Sequence, residues 1–302
     1  MKILLENCTG CHPAARVNAP AALRGLNLTV ASGEQLAVIG PSGAGKTTLL
    51  HLLACALKPV SGTLQLDGRN PWQLSRGDLQ RLRGELFLAP QVPPLPARQR
   101  VVTAVLAGRL PHESLWASVR SLFYPTDIAL ADQALTRFDV SDKLFERVDR
   151  LSGGERQRVG LARALLALSV AGPPQGAKAP SGGSAAHQVA SVGATLLLVD
   201  EPLSALDPTR SQQAIESLTQ AARERGATLV TTMHHVEMAL QHFPRIIGLR
   251  DGELAFDLPA AQVTPERLQQ LYAQHLDELS GAPSTALQDA PVAAAPVAMN
   301  CR

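Results

Sequence analysis

The sequence predicts an α/β protein with a mainly parallel sheet, and three apolar runs carry that reading. GEQLAVIG (33–40), ATLLLVDEP (194–202) and GATLVTTMHH (226–235) are strand-length, almost continuously apolar, and end in glycine or polar residues. Strands covered by helices on both faces look continuous in this way, whereas half-solvated strands alternate. From Ala22 to about Leu166 such segments alternate with turn signals and helical periodicity, as a layered α/β domain requires.

The flanking segments behave differently. Between 92 and 150 strand signals fade and Leu/Ala-periodic, arginine-rich stretches take over, which predicts a mainly helical subdomain. Residues 168–194 and 280–302 are dominated by Gly, Ala, Pro and Ser and hold too little apolar bulk to offset their ordering entropy. The first reads as a flexible insertion and the second as a disordered tail, leaving 1–279 as the folded unit.

Composition narrows the function classes. With 45% hydrophobic and 18% charged residues, the 302-residue chain is globular and able to build a core without staples. Twenty-eight Lys and Arg against 26 Asp and Glu leave a net charge of +2, no field for an electrostatically driven nucleic-acid binder. Aromatics at 3% offer few surfaces on which bases could stack. Four cysteines exclude a disulfide scaffold and suit a reducing compartment. No apolar run approaches the ~18–20 residues of a membrane span. At the N-terminus, Glu6 interrupts the chain before a signal-peptide core develops. The expectation is a cytoplasmic chain that reaches membranes only through partners.

GPSGAGKT (Gly40, Pro41, Ser42, Gly43, Ala44, Gly45, Lys46, Thr47) fits G-x-x-x-x-G-K-[ST] between an expected strand and an expected helix that runs from Thr48 through TLLHLLACAL. Glycines at this spacing let backbone N–H groups close around phosphate oxygens, and the helix adds its positive N-terminal end. Lys46 is placed for the β- and γ-phosphates and the Thr47 hydroxyl for Mg²⁺. The apolar run 196–199 then delivers Asp200 and Glu201 to the carboxyl edge of a sheet, where open α/β folds bind ligands. Asp200 suits Mg²⁺ through its water shell, and Glu201 is free to orient or deprotonate an attacking water.

LSGGERQRVGLARALL (151–166) opens a second helix with a Ser-Gly-Gly turn. Ser152 fits a plain N-cap, but Gly153 and Gly154 weaken a first turn and call for another reason. One phosphate tail does not need two anion-binding helix starts from one subunit, so the economical arrangement is a head-to-tail pair of chains.

These segments together resemble the ATP-binding subunits of ABC transporters over roughly residues 1–275. Residues 40–47 resemble their Walker A segment, 196–201 their Walker B segment and LSGGERQR their signature motif. Gln91 is similar to the Q-loop glutamine, SALD (204–207) to the D-loop and His234 to the switch histidine. Within that family LAGRL (106–110), Trp116 and RIIGLRDGEL (245–254) most resemble phosphonate importer ATP-binding subunits. The resemblance implies a nucleotide-hydrolase core with an antiparallel β subdomain and an inserted helical subdomain. It also implies ATP with Mg²⁺, and a role for each matched residue. Ser152, Gly153 and Gly154 would contact the γ-phosphate held by the opposite copy. Gln91 would sense Mg²⁺ and the water, His234 would contact the γ-phosphate, and Asp207 would help set the subunit interface. The partners implied are a second copy, two membrane-spanning permease subunits and, indirectly, a solute-binding protein, at the cytoplasmic face of the inner membrane, with no nucleic acid. Phosphate, phosphite or another small solute are alternative cargoes, and a soluble ATPase of the same fold acting on DNA or ribosomes is the alternative class.

Three places depart from the family pattern. The family stacks an aromatic ring on adenine near its N-terminus, where the nearest candidate here is His12, a smaller surface. CTGCH (8–12) matches a haem-attachment pattern, but without an export signal or a second cysteine pair it reads as a chance match, and Cys55 as a small buried residue of the helix after the loop. The 168–194 stretch replaces a short turn between the signature helix and the following strand. It enters that strand's amino end and so should emerge opposite the nucleotide. His235, next to His234, would point away from the site if 226–235 were strand throughout.

Overall fold

The computed structural model describes residues 1–12, 20–113, 116, 118–120, 127–168 and 194–273. The expected insertion (169–193 in its greater part) and tail (280–302) lie outside the described residues. In chain order the strands are β1 (Ile3–Gly10), β2 (Leu23–Val30), β3 (Gln35–Ile39), β4 (Ser61–Leu66), β5 (Leu86–Ala89), β6 (Leu196–Asp200), β7 (Thr228–Thr232), β8 (Arg245–Arg250) and β9 (Glu253–Pro259). The helices are α1 (Lys46–Leu53), α2 (Arg76–Gly84), α3 (Val101–Leu106), α4 (Ile128–Thr136), α5 (Gly153–Ala167), α6 (Pro208–Glu224), α7 (Val236–His242) and α8 (Pro265–Leu271).

The three apolar runs are the heart of a six-stranded sheet ordered β5-β6-β7-β3-β8-β9. Pairing is parallel from β5 through β8, and β9 closes the edge antiparallel. Successive residues serve opposite faces. Ala37, Ile39, Leu197, Val199 and Leu229 join the core shared with α5 and α6, while Leu36, Val38, Leu196, Leu198 and Val230 join the core around α1 and β1. Both faces are covered, which is why these strands read as continuous apolar runs.

A separate antiparallel sheet, β2-β1-β4, packs over α1 with Ile3, Leu5, Leu26, Leu28, Leu64 and Leu66 turned inward. The described part of 92–150 holds α3, α4 and short 3₁₀ turns at Ala107–His112, Ser141–Lys143 and Val148–Arg150. Backbone hydrogen bonds from Val101 and Val102 to the carbonyls of Glu146 and Leu144 tie its two ends together. Where the chain leaves α5 and returns to β6, the Ala194 N–H donates to the Ala167 carbonyl at 2.7 Å, so the residues flanking 169–193 are already joined.

Helix α1 stops earlier than its composition suggests. TLLHLLACAL contains no internal breaker, yet the helix ends at Leu53 and Cys55 takes a left-handed conformation (φ 54°), so Cys55 lies past the helix rather than on it. The Ala56 N–H reaches back to the His51 carbonyl, a Schellman-type closure, and Pro59 follows to prevent continuation. Cys55 is fully buried, and that burial pushes its thiol up to about 12. Cys8 is a core residue of β1 whose thiol donates to the Thr63 carbonyl at 3.0 Å, so the first cysteine of CTGCH is spent on packing.

Candidate nucleotide-binding site

Parallel register explains why residues far apart in the chain meet at one edge. Ala89 pairs with Val199, so Gln91 and Glu201 each lie two residues beyond a matched pair. Val38 and Asp200 both pair with Thr232, which puts Gly40 and His234 just past the same carboxyl edge. Strand ends there are the usual place for a ligand in such sheets.

The loop after β3 needs glycine for two physical reasons at once. Gly40 (φ 152°) and Gly45 (φ 99°) have dihedrals that side chains disfavour, and a Cβ would come within 2.1 Å of the Leu249 carbonyl oxygen and 2.4 Å of the Ala22 carbonyl oxygen. At Gly43, by contrast, nothing lies within 4 Å of the missing Cβ: the loop's outer wall is open. The loop is held from behind. The Gly252 N–H, in the β8–β9 turn, donates to the Ala44 carbonyl at 3.2 Å, and the Gly40 N–H donates to the Tyr272 hydroxyl at 3.1 Å. Lys46 is 5% exposed and folds onto the loop's own carbonyls, donating to Gly40 at 2.7 Å and Pro41 at 3.2 Å. Pro41 and Ala44 are buried, Ser42 is exposed, Thr47 is half-buried and Thr48 is buried. Helix α1 starts at Lys46 with Gly45 as N-cap, no capping side chain and no acid in its first turn, so the positive end of the helix dipole faces the loop without a carboxylate of its own.

Asp200 ends β6, 6% exposed, and its Oδ1 accepts from the Thr232 hydroxyl at 2.6 Å. The same hydroxyl accepts from the Glu201 N–H at 3.0 Å. Glu201 sits at φ 46°, a left-handed conformation uncommon outside glycine and asparagine. Its carboxylate is shared: Oε2 accepts from Gln91 Nε2 at 2.7 Å, and Oε1 lies 2.5 Å from His234 Nε2. Burial pushes the Glu201 carboxyl up, but the hydrogen bond from His234, the charge of His234 and the charge of Lys46 outweigh it, leaving the value below the ordinary carboxylate range. The carboxylate is therefore ionised near neutrality, as a base or water-orienting group must be.

The chain turns sooner after β7 than the apolar run suggests. The strand ends at Thr232, the chain bends at His234, and His235 is the exposed N-cap residue of α7. His235 is thus kept out of the cluster by a helix start, not by strand alternation.

Ser152, Gly153 and Gly154 open α5. Ser152 Oγ accepts from the Glu155 N–H at 3.3 Å, and Glu155 Oε2 accepts from the Ser152 N–H at 2.8 Å, a complete capping box. A Cβ on Gly154 would meet the Ala205 carbonyl oxygen at 2.8 Å, so this glycine admits the neighbouring SALD turn. A Cβ on Gly153 would meet nothing within 4 Å. Asp207 caps α6, accepting from the Arg210 N–H at 3.1 Å. Among the described residues, no hydrogen bond or ion pair joins Ser152, Gly153 or Gly154 to Lys46 or Glu201. His12 is exposed, two residues past β1, where Gly10 pairs with Leu23 beside the Ala22 carbonyl that abuts Gly45.

Two residues of this neighbourhood were not expected from the sequence. Thr232 is marked only by its place in TTMHH, and seeing its role requires the β6–β7 register. Tyr272 carries no local signal, because its contact with Gly40 spans 232 residues.

Comparison with known proteins places the chain. Residues 23–169 match the family model described as ABC transporter. The chain is 68% identical over 302 residues to a Phosphonates import ATP-binding protein of Albidiferax ferrireducens, covering 100% of both chains. It is 70% identical over 303 residues to the Phosphonates import ATP-binding protein of Polaromonas sp., again covering 100% of each. A dimeric structure of an ATP-binding cassette in a post-hydrolysis state, bound to ADP and Pi, superposes with a TM-score of 0.64 at 24% identity, over 85% of this chain and 98% of that one, which establishes likeness of fold. On sequence identity along its whole length, and on a fold shared with solved cassettes, this chain belongs to the ABC transporter family, alongside the phosphonates import ATP-binding proteins.

Proposed function

We propose that the chain is the ATP-binding and ATP-hydrolysing subunit of an importer for phosphonates, driving separate membrane-spanning subunits. One observation carries the enzymatic half: an ionised Glu201 held between Gln91 and His234, beside an open glycine-rich loop and within reach of the charge of Lys46. The names of the full-length relatives support the cargo.

The loop 40–48 would wrap the phosphates with backbone N–H groups, and Lys46 would exchange the carbonyls of Gly40 and Pro41 for phosphate oxygens. The open side at Gly43 fits an incoming polyphosphate, since a side chain there would stand in its path. The residues also fit Mg²⁺. Asp200 keeps Oδ2 without a hydrogen-bond partner among the described residues, and the Thr47 hydroxyl and Gln91 amide supply further hard oxygens. When bound there, the ion would neutralise charge developing on the β- and γ-oxygens. Glu201 would take up or orient the proton of the attacking water, with His234 fixing one carboxylate oxygen and Gln91 the other. In the closed state His234 would turn toward the γ-phosphate.

Among the described residues no hydrogen bond joins Ser152, Gly153 or Gly154 to Lys46, and a Cβ on Gly153 would meet nothing within 4 Å. This favours a head-to-tail pair in which each copy's Ser-Gly-Gly turn closes the other's site, with Asp207 at the shared face and His12 beside the adenine. The membrane partners find a surface under the Gln91 segment, an apolar groove lined by Phe87, Pro93, Leu95, Leu161 and Arg163. Arg163 Nε is buried there without a hydrogen-bond partner. Among the described residues no helix is long and apolar enough to cross a membrane. The likeness to phosphonates import ATP-binding proteins supports a place at the cytoplasmic face of the inner membrane, held by two permease subunits and served by an external solute-binding protein.

Steady-state turnover tests the reading. Purified protein should hydrolyse ATP with Mg²⁺, and Glu201→Gln should slow turnover about a hundredfold while trapping a nucleotide-bound dimer. Reconstituted with its membrane subunits, the wild type should be stimulated by phosphonates over phosphate. Wild-type turnover by Glu201→Gln would overturn the enzymatic half, and indifference to phosphonates the cargo.

A further inference from the structure

Thr231 and Thr232 are consecutive, both fully buried, and chemically identical, yet they lie on opposite faces of β7 and meet different surroundings. The Thr231 hydroxyl has no hydrogen-bond partner, whereas the Thr232 hydroxyl serves two groups of the site at once. A hydroxyl carries one proton and two lone pairs. Thr232 gives its proton to Asp200 Oδ1 at 2.6 Å and takes the Glu201 N–H at 3.0 Å.

Each contact has a consequence the other does not. A carboxylate at a strand end turns about its last bond unless one oxygen is pinned. Pinning Oδ1 leaves Oδ2 as the oxygen without a hydrogen-bond partner among the described residues. The Glu201 N–H, meanwhile, belongs to a residue at φ 46°, a conformation that needs an external hold. That conformation aims the Glu201 side chain between Gln91 and His234. One oxygen atom therefore sets both the Asp200 carboxylate and the Glu201 backbone.

We propose that Thr232 is a positioning residue that makes the metal-holding and water-orienting carboxylates a single unit. The proposal rests on the roles assigned above to Asp200 and Glu201. A plain structural threonine would affect melting alone; a positioning residue also changes metal affinity and kcat, and serine restores both.

The test uses the full chain with Thr232→Val, Thr232→Ser and Thr231→Val, with Asp200→Asn as reference. Mn²⁺ serves as probe, its binding to the ADP-loaded protein followed by electron paramagnetic resonance, alongside kcat, KM for ATP and metal-free nucleotide affinity. Thr232→Val should weaken Mn²⁺ binding about tenfold and lower kcat by about ten- to a hundredfold, leaving metal-free nucleotide affinity unchanged. Thr232→Ser and Thr231→Val should both behave as wild type. If valine at 232 does not fold, Thr232→Ala against Thr231→Ala carries the same comparison. Wild-type Mn²⁺ affinity and kcat in Thr232→Val, with Asp200→Asn losing the metal, would overturn this inference alone. Retention of Mn²⁺ by Asp200→Asn would instead overturn the metal reading on which it stands.

Discussion

The N-termini of α1 and α5 are both glycine-rich helix starts, and they are finished in opposite ways. Helix α1 has Gly45 as its cap, no hydrogen bond from a capping side chain and no acid in its first turn. Helix α5 satisfies itself through the Ser152–Glu155 box, and Glu155 brings a carboxylate to that end. A helix start with no acid in its first turn, beside an open loop, favours an anion from outside the chain. A capped start with an empty side at Gly153 is complete as a fold and still leaves room for something to approach. On the function proposed above, the first end takes a ligand and the second closes a site on another molecule.

The largest effect that would break this contrast is at the first end. Lys46→Ala should lower Mg²⁺-dependent ATP turnover by about a hundred- to a thousandfold, since Lys46 is the buried cation of the loop. A variant hydrolysing at the wild-type rate would remove α1 from the site. At the second end, Gly153→Asp places a charge where nothing of the same chain lies within 4 Å. The monomer should melt at the wild-type temperature, while ATP-dependent dimerisation, read by light scattering, is lost. Gly154→Ala behaves in the reverse manner: its Cβ would press on the Ala205 carbonyl at 2.8 Å, so denaturant melts should show a loss of about 1–3 kcal/mol in the isolated chain.

The smallest effects sharpen the contrast. Ser152→Ala removes the cap of α5 and should cost about 1 kcal/mol in the same melts, whereas α1 has no corresponding side chain to remove. The backbone and side-chain hydrogen bonds from Ser152 hold the Glu155 carboxyl below its ordinary value of 4.5. A carboxyl depressed in the folded state stabilises at pH above its unfolded value and loses that contribution as pH falls through the folded one. Melting temperature should therefore decline more gently in Ser152→Ala than in wild type as pH drops below about 4.5. Parallel slopes would mean that the box contributes nothing.

How far the sequence could be read depended on whether a feature is local. The loop 40–47 and the cap Ser152 are local, and their residue types and spacing alone announce them, while the reciprocal bond from Glu155 was seen only in the structure. The strands β3, β6 and β7 were legible because burial on both faces removes polar residues from the run. The meeting of Gln91, Glu201 and His234 was available only through resemblance, because it depends on register between β5, β6 and β7. Without register, Thr232 looked like any strand threonine and Tyr272 like a residue near the end of the chain. The early ends of α1 and β7 were missed for a shared reason: Cys55 and His234 sit where the backbone turns, and neither is a residue type that marks a turn.

Mixing two defective chains tests the shared site most directly. In a Glu201→Gln background, Lys46→Ala should fail to form an ATP-dependent dimer, and so should Gly153→Asp. Mixed, the account predicts dimers that retain ATP, because the loop of one chain and the Ser-Gly-Gly turn of the other restore one intact site. A mixture as silent as its parents would mean that each chain completes its own site, contrary to everything inferred from the two helix ends.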